Sequence, residues 1–358
     1  MILGHGGEIY HLARKLGLKP GEISDFSSNV SPLPPPEGLY EILRAKIHEI
    51  ESLPEVDSFS LRKALAERFG LPPESFFPSS GTTEWIFALP SIIKPNRVVI
   101  LGPTYADYED AARRAGLPVI YVLAEENTEF EPPLSKLSET IKPGDLVFIC
   151  NPNNPTGRFI PRKKLLDLIA AHPKTHFAVD ESYLPFVAGD QESLLTARPF
   201  PEHVMVFFSF SKIYRIPGLR LGLLATGEKW KEKVSEKERP WAVNRLAQIA
   251  GEFLLKQKAY ENKVRAFVKE EARKLVLELQ ALGFHPFPSQ VHFLLLRVPG
   301  GLSGRRLKDK LLHGHHILIR ACYNFYGLDD GFIRIALKGT EENQKMLQAL
   351  ADTLRDLS

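Results

Sequence analysis

Sulfur is scarce in this sequence: two cysteines, Cys150 and Cys322, stand in 358 residues. Two distant cysteines build neither a disulfide framework nor a zinc-ligand pattern, and no metal site is expected; they suit a reducing compartment. No apolar run approaches the roughly 18 residues a membrane span needs. The opening MILGHGGEIY lacks the basic start and apolar core of a secretory signal. Charge of either sign is nearly balanced, with 46 basic and 43 acidic side chains and a net +3. That is too little for a nucleic-acid or membrane-surface footprint. The nearest glycine cluster, GGLSG at 300–304, lacks the GxGxxG spacing of a dinucleotide fingerprint. These exclusions predict a soluble, cytoplasmic protein.

What is present is ordinary globular material, 44% apolar and 25% charged, in a chain long enough for two lobes. The 28 prolines are scattered and read as turn punctuation. Apolar runs at 97–101, 118–123, 145–150, 175–180, 203–209 and 220–226 read as strands, several separated by amphipathic stretches such as DYEDAARRAG and RKKLLDLIAAH. Buried strands alternating with helices predict an α/β fold with a mainly parallel sheet covered on both faces. The tail differs: a helix over 258–282, strands at 292–298, 316–321 and 332–337, and a closing helix near 341–356 predict a smaller α+β lobe. The charged run EKWKEKVSEKER at 228–239 reads as a solvated helix face.

In an open parallel sheet, ligands bind beyond the carboxyl ends of the strands, so the residues there carry the chemistry. They are Gly81, Thr82 and Thr83 in SSGTTEWIFAL, Tyr105 in GPTYADYE, Asn154 in NPNNPTG, Asp180 and Tyr183 in DESY, Ser209, Ser211 and Lys212 in SFSK, and then Arg220. Singly, each has a plain explanation. Gly-Thr-Thr can cap a helix, NPNNPTG can be a turn, and Asp180 can cap the next helix. Lys212 can lie along the surface, and Arg220 can serve an incidental ion pair. Together they meet every need of one cofactor, pyridoxal phosphate. A lysine forms a Schiff base with its aldehyde, and a carboxylate keeps its ring nitrogen protonated. An asparagine and a tyrosine hold its phenolic oxygen, an aromatic ring stacks on it, and a helix start with hydroxyls and an arginine holds its phosphate.

At NPNNPTG, DESY and SFSKIYRIPGLRLG the chain resembles the fold-type-I pyridoxal-phosphate family, the aspartate-aminotransferase-like enzymes. The resemblance implies a large domain at 45–245 with a mainly parallel seven-stranded sheet, and a small domain made of 1–44 and 246–358. It also implies a homodimer. Lys212 would be the catalytic lysine and Asp180 the partner of the pyridinium. Asn154 and Tyr183 would bind the phenolic oxygen, Tyr105 would stack on the ring, and Gly81, Thr82, Thr83, Ser209, Ser211 and Arg220 would surround the phosphate.

HGGEIYHLARKLGL, DFSSNVSPLPPP, RPWAVNRLA and ILIRACYNFYGLDDGFIRIAL look like the L-threonine O-phosphate decarboxylases of cobalamin synthesis, with histidinol-phosphate aminotransferases the next nearest group. This implies a small phosphorylated amino acid as substrate, with His5, Gly6 and Asn29 at the mouth of the site, Asn154 beside the substrate, and Arg320 and Arg334 as anion clamps. Read on their own, Arg320 and Arg334 sit in otherwise apolar strands, where an arginine is costly unless paired; an interdomain salt bridge is the alternative. HGG alone is a flexible turn with one imidazole. One departure stands out: where the family often carries a tyrosine reaching the partner's substrate phosphate, LPEVDSF has Leu53. A non-catalytic sensor of the same fold is disfavoured, because Lys212 and Asp180 are both present and no basic helix-turn-helix stretch stands ahead of HGG.

Overall fold

The computed structural model describes residues 6–357. Seven strands form its main sheet: β1 Phe76–Ser79, β2 Val98–Gly102, β3 Val119–Leu123, β4 Leu146–Cys150, β5 His176–Asp180, β6 Val204–Ser209 and β7 Gly222–Thr226. Their order across the sheet is β1-β7-β6-β5-β4-β2-β3. Neighbours are parallel except on either side of β7, which runs antiparallel to β1 and β6. Strands β2, β4, β6 and β7 are buried at every position, which is why their sequences are continuous apolar runs rather than alternating ones.

The strand readings need correction at three places: β1, RLGLLAT and HILIRA. β1, FFPS, escaped the sequence pattern because it is short and holds Pro78. A proline cannot donate to a ladder on both sides, and β1 sits at the sheet edge, where it need not. The run RLGLLAT enters the sheet only at Gly222; Arg220 lies outside it, in the left-handed region at φ 55. The charged run also has more structure than a solvated face, since its helix Glu228–Ser235 buries Trp230 and Val234.

The tail builds a second, antiparallel sheet from β8 His285–Pro286, β9 Phe293–Arg297, β10 Arg320–Ala321 and β11 Phe332–Ala336, ordered β10-β11-β9-β8. The run HILIRA, read as one strand, divides at Ile319: Ile317–Leu318 pairs in parallel with Ser24–Asp25, while Arg320–Ala321 pairs with β11. The N-terminal segment is thereby stitched to the tail. Phe26 N–H donates to the Leu318 carbonyl at 2.8 Å, and Ala336 N–H donates to the Phe26 carbonyl at 2.8 Å.

The helix Lys258–Ala281 has 24 residues and is about 36 Å long at the usual rise per residue. Val264 and Val268 belong to the core around the main sheet, and Leu275 and Leu279 to the core around the small one. Its first turns are fastened by a buried polar cluster. Arg68 contacts Glu261 at 2.9 Å and Asp190 at 2.8 Å. The Tyr214 hydroxyl donates to Glu261 and accepts from Arg68 Nη1. Tyr214 lies two residues beyond Lys212, so this cluster anchors the chain that carries the lysine. Arg68→Ala leaves Glu261 buried without its cation and is expected to cost about 3–5 kcal/mol, read as a lower urea midpoint of the apoprotein. A loss under about 1 kcal/mol would show that the cluster carries no such strain.

Candidate active site

The carboxyl ends of β1, β2, β4, β5 and β6 meet at one edge of the sheet, and strand register aligns the residues at those ends. Ser79 lies opposite Gly222 and Gly222 opposite Ser209; Cys150 lies opposite Asp180. Just beyond Ser79, the chain turns into the helix Thr83–Ile93, whose N-cap residue Thr82 makes no side-chain cap bond. Among the described residues, the N–H groups of Thr82 and Thr83 have no acceptor. A positive helix end with free donors is a site for an anion.

Gly81 makes this turn. Its φ of +92 is a conformation that side chains rarely adopt, and a Cβ there would collide with the Arg220 guanidinium. Arg220 itself spends little hydrogen-bonding capacity on the protein: its contacts to the carbonyls of Ser80 and Pro217 are long, at 3.4 Å each. Ser209 and Ser211 are buried, and their hydroxyls make no hydrogen bond to a described residue. Two amides, hydroxyls and an exposed guanidinium therefore surround one small space with their hydrogen bonds unspent.

Lys212 sits in the short helix Phe210–Ile213 directly after β6, with its side chain partly buried. Its ammonium is pushed down to about 8, by burial first and then by the charges of Arg220 and Arg334, with Asp180 opposing them. The main-chain carbonyl of Lys212 accepts from Ser31 N–H at 2.8 Å, so the N-terminal segment lies across the lysine's own helix.

Asp180 ends β5, buried. One carboxylate oxygen accepts from the Ser182 N–H at 2.9 Å, and the other accepts from the Tyr108 hydroxyl at 2.7 Å. Asp180 thus holds the turn after β5 but caps no helix, since the next helical turn, Leu184–Phe186, starts from Tyr183. Tyr108 was missed in the sequence; it stands in the first turn of the helix Asp107–Arg114, three residues beyond Tyr105, which precedes that helix. The two tyrosine rings meet edge to face at 5.7 Å, and Tyr108 stacks on Phe148 at 4.9 Å. Burial raises the phenol of Tyr105, which is hydrogen-bonded toward Asp107. Tyr183 is buried, and its hydroxyl accepts from Asn29 Nδ2 at 3.4 Å.

Arg334 leaves β11 and is 3% exposed. One Nη donates to Asn154 Oδ1 and the other to the Ser27 carbonyl at 2.6 Å, while its Nε has no partner. Burial, with Arg320 adding to it, holds the guanidinium down at about 10, so it is charged at neutral pH. Arg320 donates to the Ala321 carbonyl at 2.8 Å and to Asn324 Oδ1 at 2.6 Å; its Nε is likewise unpaired. Neither arginine forms an ion pair with a described residue, so the salt-bridge alternative fails. Gly6, at φ +87, packs its backbone against the Ser27 carbonyl. His5 lies outside the described residues. Leu53 is 74% exposed.

This set fits pyridoxal phosphate. The Lys212 amine is depressed toward its neutral form, the Asp180 carboxylate is buried and hydrogen-bonded, and the cradle at Gly81 has donors and no room for a side chain. Residues 13–350 match the model of the aminotransferase class I and II family. The chain belongs to that family. Its members are pyridoxal-phosphate enzymes, aminotransferases and decarboxylases among them. The chain is 32% identical to the threonine-phosphate decarboxylase of Salmonella typhimurium, over 99% of this chain and 97% of that protein. It is 30% identical to the adenosylcobalamin biosynthesis bifunctional protein of Leptospira interrogans, of whose length it spans 41%. The crystal structure of L-threonine-O-3-phosphate decarboxylase from Porphyromonas gingivalis matches with a TM-score of 0.83 at 30% identity, covering 93% of this chain and 100% of that one. Histidinol-phosphate aminotransferase from Clostridium acetobutylicum matches with a TM-score of 0.86 at 29% identity and the same coverage. The sheet order with its single antiparallel strand is the aspartate-aminotransferase-like fold. Among the described residues, no helix is long and apolar enough to cross a membrane, and no His, Cys, Asp and Glu cluster could hold a metal ion.

Two measurements test this site. Folded Lys212 gives up its proton near pH 8, against an ordinary value of 10.5, so between those values the folded chain holds fewer protons than the unfolded one. Lys212 therefore adds stability as pH rises through that window. Its reductive labelling by pyridoxal phosphate and borohydride in the apoprotein is expected to reach half-maximum near pH 8; a midpoint above about 10 contradicts the depressed amine. Gly81→Ala is expected to lower cofactor affinity about tenfold or more in equilibrium dialysis, through strain at φ > 0 and displacement of Arg220. Unchanged retention would remove the cradle from the site.

Proposed function

We propose that the chain decarboxylates L-threonine O-phosphate to aminopropanol phosphate, a reaction of cobalamin biosynthesis, with pyridoxal phosphate held on Lys212. The observation that carries this reading is the pair Arg320 and Arg334, opposite each other in the strand register: two buried guanidiniums without carboxylate partners, Arg334 on Asn154, suited to a small substrate with two anionic ends. The near full-length likeness to the Salmonella decarboxylase supports it.

Bound there, pyridoxal phosphate supplies an electron sink for the substrate's α-carbon. Asp180 would keep the ring nitrogen protonated, and Tyr108 would keep Asp180 oriented. Asn154 Nδ2 and the Tyr183 hydroxyl would hold the phenolic oxygen, with Tyr105 stacked on the ring. The Gly81–Thr83 turn, Ser209, Ser211 and Arg220 would bind the cofactor phosphate. Arg334 and Arg320 would take the substrate's carboxylate and phosphate, with Asn29, Gly6 and His5 closing the mouth. By fixing the substrate's carboxylate, Arg334 and Arg320 would favour loss of carbon dioxide over loss of the α-hydrogen. Lys212, half neutral near pH 8, can then return a proton to the α-carbon.

In this reading the large domain is 45–245 and the small domain is 1–44 with 246–358. The protein works in the cytoplasm as a homodimer, whose second copy would cover the exposed side chains of Ile47, Ile50, Leu53, Val56, Phe59 and Trp241. Leu53 donates no hydrogen bond, which leaves the substrate phosphate to the arginines.

The test is to incubate the holoenzyme with L-threonine O-phosphate and no keto acid. Stoichiometric carbon dioxide is expected, with kcat/KM falling on the order of 100-fold or more in Arg334→Leu. The fold match to the Clostridium enzyme favours one other reading, a histidinol-phosphate aminotransferase. Conversion of the cofactor to its amine form by glutamate alone, with no carbon dioxide from threonine phosphate, would establish that reading instead. Turnover by Lys212→Ala at the parent rate would refute both.

A further inference from the structure

His292 precedes β9 and is completely buried, yet neither ring nitrogen has a hydrogen-bond partner among the described residues. Its ring stacks on Phe186 at 3.7 Å and tilts against Tyr183 at 5.9 Å. It faces the backbone carbonyl of Asn29 without forming a hydrogen bond to it, and burial, with Lys212, Arg334 and Lys338 around it, keeps the imidazole neutral. Asn29 is in the same condition: its Oδ1 is buried and unpaired, while its Nδ2 reaches only the long contact to Tyr183. An unmet polar group in an apolar setting costs stability, and a leucine in QVHFLLLRV would avoid that cost. Two such groups side by side, next to Tyr183 and Lys212, are unspent hydrogen-bonding capacity at the back of the site.

We propose that His292 is a positioning residue that acts through Asn29: with substrate bound, its ring donates a hydrogen bond to the Asn29 carbonyl. That bond fixes residues 27–31 over the site. This segment lays the Ser27 carbonyl on Arg334 and the Ser31 N–H on the carbonyl of Lys212, so fixing it orders the substrate clamp without touching the substrate. The inference rests on the proposed reading of the site as one for a phosphorylated amino acid.

His292→Leu and His292→Asn test it. In the apoprotein, His292→Leu is expected to leave the Tm unchanged or raise it, because an unpaired polar group is replaced by an apolar one. In the holoenzyme the same variant is expected to raise KM for L-threonine O-phosphate roughly tenfold with kcat within about threefold, and His292→Asn, which keeps a donor, is expected to restore most of the loss. Hydrogen exchange at amides 27–31 should slow on substrate addition in the parent and in His292→Asn but not in His292→Leu. A large fall in the apoprotein Tm of His292→Leu would make His292 a core residue and overturn the proposal. So would an unchanged KM, or equal exchange protection in all three proteins. If the parent does not turn over threonine phosphate, the functional reading alone fails, and the same exchange comparison is made with histidinol phosphate.

Discussion

One buried cation holds the site together. The guanidinium of Arg334 comes from the small sheet, donates to Asn154 in the loop after β4, and donates to Ser27 in the N-terminal segment. Three stretches far apart in sequence converge on it, and none pairs a carboxylate with it; Asp25 acts on it only from a distance. Burying a guanidinium against neutral acceptors is costly, and removing the arginine altogether would be the cheaper solution for stability alone. Its retention makes physical sense only if charge arrives from outside. An anion bound there would tie the small sheet, the loop after β4 and the N-terminal segment together.

The same asymmetry extends across the site. Two guanidiniums, Arg220 and Arg334, act directly to depress Lys212, and Asp180 is the carboxylate that opposes them. A phosphate dianion beside Arg220 would neutralise part of that push and raise the lysine's affinity for a proton. Phosphate binding in the Gly81 cradle and the protonation of Lys212 would thus be linked through Arg220. The interior polar cluster of Arg68, Glu261, Asp190 and Tyr214 works differently: its charges are balanced, and it fastens the lysine's neighbourhood to the long helix.

Much of this was legible in the primary structure for a simple reason. Buried parallel strands are apolar at every position, and their chemistry comes immediately at their carboxyl ends, so Asn154, Asp180 and Lys212 announce themselves by place. The features that escaped notice have physical causes too. β1 is short and carries Pro78, which its edge position tolerates. HILIRA changes sheets at Ile319, and a local pattern does not show a change of partner. Arg220 looked like the start of β7 because a left-handed residue beside a strand leaves no mark on hydropathy. Tyr108 and His292 sat inside apolar or amphipathic runs, where an aromatic side chain reads as core until its polar atom is seen beside Asp180 or Asn29.

The helix Lys258–Ala281 sets a limit of another kind. Its first half is packed into one core and its second half into the other, so no cut through the chain there frees a lobe with its hydrophobic surface intact. The smaller lobe is therefore not a module that recombination can exchange for another. A change of substrate in this architecture has to come by replacing individual side chains on a shared frame, and the site's arginines and asparagines are where such a history would be written.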